Sequence, residues 1–266
     1  MHRSARPYAS NCKRQRRKLM HNKQEDLMLQ SQSLTDEQKQ WLISLSGYLS
    51  MQNGYSLDCL LDKSETYPLQ AIINGNVKVL KNSYDIHSKA DLVETLNVFT
   101  DTARSDQFVN SLIQSVRHDL YIEHFFLNRN NDKNSNEYMV SEWAEKHNVS
   151  LSDCGIKGFD VGRSAFLCRC AYTTGLITEQ ETWYYLLVLG KIAQQLFTDW
   201  QEFAMSHIVG RLTWVGVKLT KEEDFSDRYP RSFEVKLEIK RDIEELMSIL
   251  ADDEHPWCQL DWTIDL

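Results

Sequence analysis

Residues 160–196 read DVGRSAFLCRCAYTTGLITEQETWYYLLVLGKIAQQL. Two helical patterns stand here with a stop between them. In the first, Ala165, Phe166 and Cys170 recur at helical spacing as far as Tyr172, and Gly175 supplies the C-terminal stop. Thr178-x-x-Glu181 is a capping-box pattern and opens the second. Trp183, Leu186, Leu187, Ile192 and Leu196 then form its apolar stripe. A short link between two such helices favours antiparallel neighbours in an α-bundle.

The same pattern extends outward. Asp199 is placed to cap a helix carrying Trp200, Phe203, Ala204, His207, Arg211 and Trp214, and a last helix is expected from about Glu234 to Leu250. Upstream, Ser88 and Asp91 mark a capped start for Leu92, Val93, Leu96 and Phe99. Phe108, Leu112, Val116 and Leu120 continue in a further helix, Asn128–Asn136 reads as a surface loop, and residues 137–148 place Met139 and Trp143 on one face. Ala71–Leu80 contains an Asn-Gly turn signal, compatible with a short helix or a hairpin. The first helix begins after Thr35, carries Trp41, Leu42, Leu45 and Leu49 on one side, and ends near Gly54. No proline stands between Pro68 and Pro230, which leaves long helices uninterrupted. The fold expected is all-α: a single bundle-like domain over 34–266, preceded by a disordered basic tail over 1–33.

Charge divides the chain unevenly. Residues 1–24 hold eight Lys/Arg and no acid, so removing them from a net charge of −8 leaves −16 on residues 25–266. A body that acidic suits a basic protein partner and argues against a nucleic-acid phosphate backbone. The run Lys13–Lys18 reads either as an arm for anionic polymers or lipids or as a solvated extension; a start at Met20 or Met28 would remove most or all of the basic segment. No apolar run approaches the length of a membrane helix, and no apolar stretch follows the basic residues as a secretory signal requires. Cysteines 12, 59, 154, 168, 170 and 258 form no Cys-x-x-Cys pair, and Cys168 and Cys170 are expected on different faces of one helix. They read as free thiols of a cytoplasmic protein.

Several short motifs recur together. Gly158-Phe159-Asp160-Val161-Gly162-Arg163 is followed by Arg169, Tyr172 and Gly175, and then by Ile177-Thr178-Glu179-Gln180-Glu181-Thr182-Trp183. Asp199-Trp200-Gln201-Glu202-Phe203 and Gly210-Arg211-Leu212-Thr213-Trp214 come next. Tyr84-Asp85-Ile86 leads into Asp91–Leu96, and the chain closes on His255-Pro256-Trp257, Asp261-Trp262 and Leu266. This set resembles the bacterial domain-of-unknown-function family numbered 1266, over about residues 40–266. Phe159 stands where that family usually has Trp, and Asp199 and His255 where Ser is common. The resemblance implies a single helical domain of bacterial origin and brings no reaction with it.

Four motif residues could share a polar site. Asp160, Arg163, Glu181 and Arg211 offer two carboxylates and two guanidiniums, a set able to hold an anionic ligand. The structural alternative has the same groups capping helices and pairing with one another between packed helices. His207, four residues before Arg211, reads as a general base or as a core histidine, and the second is favoured because no nucleophile or carboxylate stands at helical spacing beside it. His118-Asp119 with His87 upstream and Asp153 or Asp160 downstream is the one metal-like pattern, in a stretch that packing alone explains. Phosphate loops, zinc-protease helices and nucleophile elbows are missing from the sequence. The expectation is therefore a non-catalytic interaction protein, of accessory or immunity type, with another protein as partner and no cofactor or metal. The alternative is an enzyme or small-ligand binder using Asp160, Arg163, Glu181 and Arg211.

Overall fold

Thr35 opens the first well-packed helix because its side chain and that of Gln38 cap each other's backbone: Gln38 N donates to Thr35 Oγ1 at 3.1 Å, and Thr35 N donates to Gln38 Oε1 at 2.8 Å. The computed structural model describes residues 25–100, 157–208, 210–211, 241–242 and 244–266. In chain order the helices are α1 (25–30), α2 (Asp36–Ser44), α3 (Gly47–Gln52), α4 (Leu69–Lys78), α5 (Lys89–Thr100), α6 (Lys157–Thr173), α7 (Glu179–Leu196), α8 (200–208), α9 (244–251) and α10 (Pro256–Gln259). A π-helical turn, Val79–Ser83, extends α4. No strand occurs among the described residues, so the chain is all-α.

The single helix expected between Thr35 and Gly54 is two. α2 tightens and stops at Leu45 and Ser46, whose N–H groups reach back only three residues, to Leu42 and Ile43. Tertiary contacts hold the break. Trp257 Nε1 donates to the Ser44 carbonyl at 2.7 Å, satisfying an acceptor the interrupted helix leaves over. Over Ala71–Leu80 the structure selects the helix, with Ile72, Asn76 and Leu80 buried and Asn74-Gly75 inside it. Within the stretch expected as tail, 25–30 are helical, Leu27 packs against the core and Ser31 is buried. The tail's residues 1–24, the patterns at Phe108–Leu120, Asn128–Asn136 and 137–148, and Trp214, Ile239 and Ile243 lie outside the described residues.

α6 is the central helix, packed by α3, α4, α5 and α7. It is buried around nearly its whole circumference, which erases the amphipathic stripe that a helix with one wet face would show. Cys168 and Cys170 point to different faces and are both buried for the same reason. All four described cysteines are free thiols. Gly175 follows α6 with φ +75°, a conformation in which glycine escapes the Cβ clash. Thr178 then caps α7 through the reciprocal pair with Glu181, and α7 returns along α6.

Two internal structures tie the bundle together. The first gathers Trp41, Trp200, Trp257 and Trp262 around Phe203, with Trp200 4.8 Å from Trp262 and 5.0 Å from Trp41, centroid to centroid. Trp200, Trp257 and Trp262 each donate their indole N–H to a backbone carbonyl, of Leu260, Ser44 and Phe197. Burial therefore costs those three indoles no lost hydrogen bond. The second is a fully buried ion pair between Asp62 and Arg169, 3.2 Å apart. Arg169 also donates to the Ser46 and Ser50 hydroxyls and to the carbonyls of Ser56, Cys59 and Leu60. Asp62 accepts from Asn76. A stretch without helix, 55–68, is thereby pinned to α6, with the carbonyls of Ser56, Cys59 and Leu60 satisfied by the guanidinium.

Candidate functional site

The head of α6 lies against α8, and glycine makes the approach possible. A Cβ on Gly158 would stand 2.5 Å from the Phe203 carbonyl oxygen and 2.7 Å from the His207 nitrogen; on Gly162 it would stand 2.5 Å from His207 Nδ1. Gly158 N donates to Ser206 Oγ at 2.8 Å. The Gly-Phe-Asp-Val-Gly-Arg motif is thus a close helix crossing, and His207 fills the space left by Gly162.

Around this crossing stand three of the four residues singled out from the sequence. Asp160 pairs with Arg163 at 2.5 Å and with Lys157 at 3.9 Å. The Arg163 guanidinium lies over the Phe99 ring at 3.6 Å and near the Phe159 ring at 4.8 Å, so aromatic faces cover it. Arg211 donates through Nε to Asp242 at 2.9 Å. Asp242 also accepts from Gln52, and Tyr48 donates to its carbonyl. Tyr84, at the end of the π turn, feels both guanidiniums and Asp160; burial nevertheless raises its phenol above the usual range.

Glu181 is not part of this group. It opens α7 at the other end of the α6–α7 pair, about 20 Å from Asp160 at 1.5 Å per helical residue. There it accepts from Thr178 N at 2.9 Å and pairs with Lys89. The Lys89 ammonium, followed by the Thr178 backbone, holds its carboxyl below the ordinary range.

His207 is 1% exposed, and neither ring nitrogen has a hydrogen-bond partner. Burial drives its pKa down to about 3, and the Arg211 charge, followed by that of Arg163, pushes the same way. The ring is neutral at pH 7 and packs tilted against Tyr48 and edge-to-face against Phe159 and Phe203. A base sealed in this way cannot reach a substrate proton. Arg163 Nε is likewise buried without a partner.

Of the metal-like pattern, His87 is exposed and pairs with Asp85 at 2.8 Å, Asp160 is engaged with Arg163, and His118, Asp119 and Asp153 lie outside the described residues. Among the described residues no group of three His, Cys, Asp or Glu could hold a metal ion. Two clefts occur elsewhere. One of about 580 Å³ is lined by Gln194, Phe197, Thr198 and the 262–266 segment; the other, about 430 Å³, lies between Gln52, Tyr55, Tyr67 and Ile72. No described helix is long and apolar enough to cross a membrane.

Sequence reasoning missed Lys89, Asp242 and Asp62, the partners of Glu181, Arg211 and Arg169. Each lies between 31 and 107 positions from its partner, beyond any local spacing rule.

Residues 79–262 match the family model described as Protein of unknown function (DUF1266). No curated protein and no solved structure matches the chain.

Proposed function

The chain belongs to the DUF1266 family of proteins of unknown function, and on that footing we propose that it is a non-catalytic interaction protein of the bacterial cytoplasm, of accessory or immunity type, that binds a basic protein partner. One observation carries this reading: the charged motif residues are engaged within the chain itself, Asp160 with Arg163 and Arg211 with Asp242 in largely buried pairs, and Glu181 with Lys89 in a partly exposed one. The acidity left for the surface is concentrated late in the chain. Residues 241–266 hold eight Asp/Glu against one Arg, and Glu244, Asp252, Asp253, Glu254, Asp261 and Asp265 are exposed. Such a face would speed and select a basic partner in a salt-dependent way.

The test uses the full chain as bait, beside a variant with Asp252, Asp253 and Glu254 changed to Lys. A single partner held by the wild type, released by salt and lost by the charge-reversed chain supports the reading. A partner that binds both chains equally removes the acidic face from it; repeated recovery of no partner removes the interaction role.

A second reading, a binder of small anions at the head of α6, is favoured by the unpartnered nitrogens of His207 and Arg163. It would use Asp160, Arg163 and Arg211 without Glu181. Inorganic phosphate at matched ionic strength should then raise the melting temperature of the wild type and not of Arg163→Lys. An equal response in both chains excludes it.

A further inference from the structure

We draw no further inference here: the strongest candidate, the cluster of Arg163, His207 and Arg211 where α6 crosses α8, belongs to the site already described, and nothing in the structure shows what beyond its own carboxylates would occupy it.

Discussion

Asp62 and Arg169 meet at 3.2 Å with neither side chain reaching solvent, and the arginine reaches three further residues, Ser56, Cys59 and Leu60, in the non-helical segment 55–68. Burial raises the Asp62 carboxyl and the Arg169 charge opposes that rise. A pair of this kind is worth little against a well-packed apolar substitute, but breaking it strands a charge. Arg169→Ala should therefore cost about 3–5 kcal/mol in urea unfolding. Asp62→Ala combined with Arg169→Ala should cost clearly less than the two single changes added together. Strict additivity would mean that the pair is not coupled.

The buried histidines set a pH dependence. A base whose folded pKa is depressed leaves the unfolded chain binding more protons, so stability is full above the unfolded pKa of 6.5 and falls as pH drops toward the folded value. For His207 the window runs from about 6.5 to about 3; for His255, pushed down to about 4 by burial, it ends higher. Each should remove roughly 2 kcal/mol between pH 6.5 and 5. Denaturation midpoints measured across that range should fall in the wild type and fall less steeply in His207→Gln. Parallel slopes would show that the ring is already hydrated.

Glycine spacing at the helix crossing can be tested by adding single methyl groups. Gly158→Ala drives a Cβ onto the backbone of Phe203 and His207, which no rotamer can relieve. Gly162→Ala meets chiefly the His207 ring, at 2.5 Å, with the Leu45 carbonyl oxygen next at 3.3 Å. Both should destabilise, by about 1–3 kcal/mol or more, with Gly158→Ala the worse. Trimming the ring with His207→Ser should recover part of the Gly162→Ala loss and none of the Gly158→Ala loss. Thermal midpoints of the wild type, the three single variants and the two double variants decide it.

Glu181 offers the sharpest separation of roles. If it serves α7 as a cap, Glu181→Gln keeps the reciprocal hydrogen bonds and holds its melting temperature near wild type, while Thr178→Ala loses about 1 kcal/mol. Lys89→Ala should cost less than that, because the pair is half exposed. A Glu181→Gln chain that melts normally but no longer holds its partner would transfer Glu181 from folding to recognition.

The parts of this fold legible in the sequence are those written locally. Thr35, Ser88 with Asp91, Thr178 with Glu181, Asp199 and the left-handed Gly175 all act within four residues, and each stands where its pattern placed it. The α2–α3 break was not legible because Trp257, more than two hundred residues away, supports it. The candidate site shows the same division. Asp160 and Arg163, three apart, could be read as a pair; Arg211 needed Asp242 from a separate helix, and Glu181 was grouped with them by motif order alone, although the fold carries it to the far end of α6. The continuous burial of α6 also hid its importance, since a helix packed on every side shows no preferred face.

The cluster of Trp41, Trp200, Trp257 and Trp262 has an optical consequence. Indole rings about 5 Å apart exchange excitation, so their electronic transitions mix and light absorbed by one is emitted by another. The four chromophores come from α2, α8 and the last ten residues, and only their assembly brings them together. The protein thus contains a built-in gauge of whether its last ten residues have closed on α2 and α8, readable as a near-ultraviolet dichroic signal without any label.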